Sequence, residues 1–480
     1  MLEMKTLILS RNANAPLLWG IAVSATIIGE FSGWNAGLNQ GGIGGMLIAT
    51  LLVAVMFGCL LMSLAELSTA IPFTGGAYAY ARAAFGKKMA IVAGTSQILE
   101  YMFALGTILV AIGIQFRSIL EGSFLSSLGE PIIWAVALVF FVILNSSDPK
   151  LFFRSALVLA IAPLIVLMVF WFEAIPRFEI YQLLSIKAGV GDSEWLPNGL
   201  FGIAWALPFA VWFFLAIEVI TLASEETIAP SKNIPRALLL AFIVLLISAL
   251  SILILNSGVA PGASAIGSTD APLLSGLETV LGGAMSIKLI TALVLLGALA
   301  GFHSTIYAAS RVVFSLARAG YLPVQLSYQY GGNRSPKLAV YFVAILVFGL
   351  ALAAKFLAEN ISVVSLLLNM SVLAAMVSYF ISLLSYVSLK VRYPLMERPY
   401  KSPLGVTGAI TSLIIVTVAA FFMFTNSDFR FGLFILASIY IFFLMIFLVF
   451  EKKFVNEHAP EEDFAIHLKN KIYLTGDTYD

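Results

Sequence analysis

The sequence predicts an all-α polytopic membrane protein of twelve transmembrane helices, arranged as a five-plus-five inverted repeat with two extra helices. Three observations carry that prediction. Of the 480 residues, 60% are hydrophobic and 11% charged, with a mean hydropathy of +0.99. A soluble domain carries about 25% charged residues, and packing in water cannot hide so much apolar surface. Second, crossing the hydrocarbon core needs roughly 20 apolar residues. Twelve such runs can be marked, at 17–39, 43–67, 89–116, 131–146, 152–173, 199–222, 236–256, 287–312, 338–355, 361–388, 406–424 and 430–450. They are called spans 1 to 12 below.

The third observation is charge asymmetry. Suppose the N-terminus, the loops leading from even to odd spans and the C-terminal tail share one side. That side then holds 21 of the 27 Lys and Arg residues, and the other keeps Arg117, Arg177, Lys187, Lys288, Lys355 and Arg430. By the positive-inside rule both termini are expected in the cytoplasm, with the chain in the cytoplasmic (inner or plasma) membrane. The organisation expected is residues 1–16 as N-terminus, 17–388 as a ten-helix core with repeats at about 17–173 and 199–388, 389–450 as spans 11 and 12, and 451–480 as a tail.

Composition also excludes. A net charge of +1 points to no nucleic acid or acidic partner, and the lone Cys59 rules out an internal disulfide or a cysteine metal cluster. The first apolar run lacks a small-residue cleavage site and reads as a retained helix. His303, His458 and His467 have no HExxH spacing, and no Walker-type glycine loop is present, so neither a metalloenzyme nor a nucleotide-driven pump is expected. A channel would favour a continuous polar stripe. A membrane solute sensor is the rival from another class, and the short tail speaks against it. No cofactor or metal is expected.

Two interruptions stand five spans apart. Span 1 contains "SATIIGEFSGWNAGL" (24–38), with an ionisable Glu30 among glycines and serines, and span 6 contains "WALPFAVWFFLAIEVI", with Pro208 and a small Ala216 before Glu218. An odd number of helices per repeat inverts the second copy. Transporters of that design bind substrate at broken helices near the midplane. Backbone freed by such a break must line a protein cavity. Glycines permit the unwinding, so Ile28, Gly29, Glu30, Phe31, Ser32 and Gly33 are the first candidate substrate-binding residues.

Glu30 adds a negative charge there. Placing an acidic side chain at the centre of a helix costs about 2.5–3.5 kcal/mol on insertion scales, which a substrate ammonium or a proton would offset. The alternative is a structural Glu30 paired with a hydroxyl or a base. The same choice applies to Glu100, mid-span in "SQILEYMF", and to Glu218 after the span 6 break; Glu66, at the end of span 2, reads rather as a gate or ion-pair partner. Phe31, Trp34, Phe209 and Trp212 surround the breaks, where ring faces attract ammonium groups or simply pack. His303 is a candidate for proton coupling, or a packing histidine. Ser304 and Thr305 offer hydroxyls to a sodium ion instead, leaving H⁺ and Na⁺ as the coupling ions considered.

Three stretches resemble signatures of the amino acid–polyamine–organocation superfamily: "ELSTAIPFTGGAYAYARAAFG" (66–86), "FLAIEVITLASEETIAPSKNIPRAL" (214–238) and "SRVVFSLARAGYLP" (310–323). The resemblance implies the five-plus-five fold plus two helices. Within the superfamily, "GEFSGWNAGL", "FAVWFFLAIE" and the tail "HAPEEDFA" are most similar to the ethanolamine permeases. Amino acid members keep a Gly-Ser-Gly type turn in span 1 for the substrate carboxylate; here the place reads Gly29-Glu30-Phe31-Ser32-Gly33. A carboxylate there would repel a substrate carboxylate and welcome an amine. Ala216 stands where relatives carry Gly, and span 5 lacks the lysine of proton-coupled relatives. The expectation is a secondary active permease importing a small amine, ethanolamine first, by alternating access. A neutral amino acid or a GABA-like solute is the second choice. Its partners would be that solute and membrane lipid.

Overall fold

The twelve predicted runs are mainly helical in a computed structural model, within the residues it describes: 9, 11–123, 129–189, 192–329, 335–357, 363–456 and 459–464. His458, His467 and the lysines at 5, 469 and 471, along with Arg334, lie outside the described residues. No β-strand forms among the described residues, only two isolated bridges. Local chemistry sets several helix starts. Asn14 accepts from the Leu17 amide at 3.3 Å, with Pro16 next, and Asp148 accepts from the Lys150 amide at 2.8 Å, with Pro149 next. In both cases the side chain satisfies an amide that the first helical turn leaves unpaired, and proline fits where no amide is needed.

Among the described residues, nine helices are long and apolar enough to cross a membrane unbroken. Span 6 makes a tenth, as Gly199–Phe214 and Ile217–Ala223 bent by 44°. The two remaining runs are shorter helices, Ala15–Phe31 and Glu130–Ser146. At about 1.5 Å per residue, each falls short of a core roughly 30 Å thick. Span 1 is completed by a further helix that starts at Ala36. This helix runs to Ala70 and bends at Gly42, where φ is +63°. The predicted boundary between spans 1 and 2 is therefore a kink inside one helical run and not a loop.

The two halves repeat one order of elements. Each has a broken span, a span, a short helix (Ala77–Phe85 or Pro272–Leu281), a long span (Lys87–Leu120 or Ile287–Arg318) and two more spans. Five spans per half means that the short helices sit at opposite faces. Spans 8 and 10 have 72% and 67% of their apolar windows buried, against 33% and 17% for spans 11 and 12. Phe421, Phe434 and Val449 on the last two helices face outward, where lipid is their natural solvent.

Glu66 is an ion-pair partner. Its carboxylate meets Lys390 at 2.5 Å, Arg398 Nε at 3.0 Å, the Tyr386 hydroxyl at 2.9 Å and the Ser402 amide at 2.7 Å. This clamps the end of span 2 to the end of span 10 and the segment after it.

Candidate functional site

The breaks form by different chemistry from that expected. Gly29 stays helical, within Ile28–Phe31, and the chain unwinds at Ser32–Asn35 after a smaller discontinuity at Ile27. Ser32 is extended (φ −164°, ψ 164°) and Gly33 takes φ +94°, a left-handed conformation that suits a residue with no Cβ. Gly29 serves a close approach instead. A Cβ there would run into the carbonyl oxygen of Trp212, so spans 1 and 6 touch backbone to backbone at their breaks.

In span 6 the helix Gly199–Val211 passes into a 3₁₀ turn, Trp212–Phe214, and stops at Leu215. Ala216 follows with φ +72°. An alanine thus adopts the backbone that glycine would take with less strain, and the expected unwinding is present.

Between the breaks lies a cavity of about 580 Å³. Ile28, Phe31, Ser32 and Gly33 form one wall, with Phe209 and Trp212 opposite. The segment Gly267–Ala271 and the start of span 10 around Asn369 cover it on the face poor in Lys and Arg. Asn35 straps that cover down, donating to the carbonyls of Ile266 and Thr269, both at 2.7 Å. Among the described residues the Trp212 Nε1–H has no hydrogen-bond partner. Thr107, Gln115 and Asp270 also line the cavity. Sequence reading missed them because single polar residues scattered over a span and a loop carry no pattern.

Glu30 is fully buried, and neither carboxylate oxygen has a partner among the described residues. It is not on the cavity wall. The helical repeat explains this. Residues 28 and 31 share a face, and residue 30 is turned about 100° from residue 31 and about 200° from residue 28. Among the described residues neither an arginine nor a hydroxyl bonds it.

Glu100 and Glu218 come together away from the cavity wall. Tyr101 donates to Glu218 Oε1 at 2.8 Å, and the Tyr379 hydroxyl lies 2.9 Å from Glu218 Oε2 and 3.2 Å from Glu100 Oε1. No ion pair joins either carboxylate to a base among the described residues. The Tyr379 hydroxyl has one proton to give, so it can donate to only one of the two carboxyl groups at a time.

His303 is buried, with Nδ1 3.2 Å from Asn145 Nδ2 and Nε2 2.8 Å from Ser155 Oγ. It binds span 8 to spans 4 and 5, the geometry of a packing histidine. Ser304 Oγ lies 2.5 Å from Ser24 Oγ, and Thr305 is buried beside it. Among the described residues no group of three His, Cys, Asp or Glu side chains is placed to hold a metal.

A bundle with two half-broken spans facing one cavity is shared by many solute carriers, and the sequence decides among them. The chain matches the amino acid permease family over residues 19–463. This chain belongs to the amino acid permease family. The permease is 25% identical over 415 residues to an uncharacterized transporter from Rhizobium meliloti, which covers 85% of each chain. It is 25% identical over 370 residues to a branched-chain amino acid permease from Bacillus subtilis, covering 73% of this chain and 75% of that one. A methylthioribose transporter from Bacillus subtilis is 22% identical over 360 residues, covering 71% and 72%. The chain is a multi-pass membrane protein and, by its family, a permease.

Proposed function

We propose that the permease is a secondary active importer of a small amine, with ethanolamine its best-fitting solute, working by alternating access in the cytoplasmic membrane with both termini inside. The observation that carries this reading is Glu30, a carboxylate with no exposed surface and no partner for either oxygen among the described residues. A charge so placed is very costly unless neutralised, and an ammonium ion supplies the missing counter-charge. The unpaired Trp212 Nε1–H offers a donor for the solute's hydroxyl oxygen. Binding at Glu30 requires the wall at Ile28 and Phe31 to yield, consistent with the unwound Ser32–Asn35 next to it. In this reading Ile28, Gly29, Phe31, Ser32, Gly33 and Phe209 shape the pocket.

A neutral amino acid is the second reading, favoured by the likeness to the branched-chain amino acid permease of Bacillus subtilis. For it, the amides freed at Ser32–Asn35 would hold the carboxylate.

Coupling is to protons in this proposal. The Glu100–Tyr379–Glu218 cluster is the proton site in preference to His303, whose ring nitrogens are both engaged.

Uptake of labelled ethanolamine and of labelled leucine into proteoliposomes, each competed by the other, tests the substrate. Glu30→Gln is expected to abolish ethanolamine uptake while the protein remains folded in the membrane. Ethanolamine uptake at the wild-type rate by that variant refutes the role of Glu30.

A further inference from the structure

The face rich in Lys and Arg carries a second site, separate from the cavity. Just after span 6, Glu225 and Glu226 meet the end of span 8. Arg311 Nε lies 2.7 Å from Glu226 Oε1, which also accepts from the Tyr307 hydroxyl at 2.8 Å. Arg318 Nη2 lies 2.8 Å from Glu225 Oε1. Glu225 Oε1 also accepts from the Thr74 amide at 2.8 Å. These contacts join spans 6 and 8 and the segment after span 2. A solute path that opens to this face has to part such elements.

A later segment of the chain reaches into the same cluster. Arg318 Nη2 is also 2.5 Å from Oε1 of Glu461, a residue with 0% exposure, and Ser315 Oγ donates to the same oxygen at 3.1 Å. Arg82, in the helix Ala77–Phe85, donates through Nε to Glu462 Oε2 at 2.9 Å and through Nη2 to the Asn456 carbonyl at 2.7 Å. The Phe464 ring packs edge-on against Phe73, with centroids 5.5 Å apart. Asn456 caps span 8, its amide on the Ala319 carbonyl at 3.1 Å and its side chain on the Arg318 carbonyl at 3.1 Å. Two successive carboxylates followed at Phe464 by an aromatic ring thus bridge span 8 to the Ala77–Phe85 helix.

We propose that Arg82, Arg318, Ser315 and Phe73 form a binding site for an acidic peptide, occupied here by the chain's own Glu461–Phe464, and that its occupancy holds the solute path shut on this face. The bonding supports this. Charge-assisted hydrogen bonds are the strong kind, and a buried pair that loses one partner leaves an uncompensated charge. A segment that binds only when two elements are together adds its binding energy to the closed state. The function proposed above supplies the transport cycle in which closure matters. The site itself rests on the contacts alone.

The experiment uses the full chain in membranes, in a Cys59→Ser background with Thr74→Cys as reporter, since Thr74 is buried beside Glu225. An impermeant thiol reagent is applied from the Lys- and Arg-rich face. The Glu461→Gln/Glu462→Gln pair is expected to label severalfold faster than the parent. A synthetic peptide of residues 456–464 added from the same face is expected to restore slow labelling. Glu462→Gln alone, at the half-exposed member, gives a milder form of the same result if the double variant folds poorly. A lowered melting temperature with unchanged labelling, or faster labelling that the peptide does not slow, overturns the proposal. Labelling needs no solute, so the result stands apart from the identity of the carried amine.

Discussion

Ala216 shows how a single residue can hold a functional break. Its φ of +72° lies in the left-handed region, where an L side chain is strained by roughly 1–2 kcal/mol. Glycine relieves that strain but adds freedom to the unfolded chain, about 0.4–1 kcal/mol in the opposite direction. Ala216→Gly is therefore expected to stabilise the permease by about 0.5–1 kcal/mol, read as a small rise in melting temperature in detergent. A fall in that temperature would show that the break is held by packing of the alanine methyl and not against strain. Tyr379 tests the acidic pair. Tyr379→Phe removes the hydroxyl that Glu100 and Glu218 both touch while keeping the ring packed on Phe57. Accumulation driven by a pH gradient should be lost, and exchange of labelled for unlabelled solute at equal pH should continue. If accumulation persists, the proton site lies elsewhere.

At the scale of elements, the residues that announce a break and those that make it differ. "GEFSG" is legible as an interruption because a membrane helix rarely carries a charge between glycines, yet unwinding falls at Ser32–Asn35. The reason is that Gly29 is occupied by its contact with the Trp212 carbonyl, and contact between spans leaves no trace in local sequence. The helical runs were legible from hydropathy. The pairing of Glu100 with Glu218, 118 positions apart, was not, since it depends on how spans 3, 6 and 10 pack. The contacts of the acidic tail with Arg82 and Arg318 were not legible for the same reason. Asn35 gives this scale its prediction. Each of its two bonds, to the Ile266 and Thr269 carbonyls, is worth about 0.5–1.5 kcal/mol. Asn35→Ala should weaken solute binding severalfold through the loosened cover, measured as a higher Kd with little change in melting temperature. An unchanged Kd would mean that the cover does not help retain solute.

For the whole molecule, the placement of the cavity and of the ion pairs defines one state of a carrier. The 580 Å³ cavity meets segments of the face poor in basic residues. On the other face, Glu225, Glu226, Arg311 and Arg318 are buried in mutual contact. In the proposed cycle this arrangement is closed toward the basic side, with the proposed solute cavity nearer the opposite side. A population fixed mainly in this state has a direct signature. In a Cys59→Ser background, Thr107→Cys lines the cavity from span 3. It should react with an impermeant reagent added from outside the cell and be protected by saturating ethanolamine. Labels added only from the cytoplasmic side should reach it slowly. Rapid labelling from the cytoplasm alone would reverse the orientation that the Lys and Arg distribution assigns, because the cavity side, poor in Lys and Arg, would then face the cytoplasm.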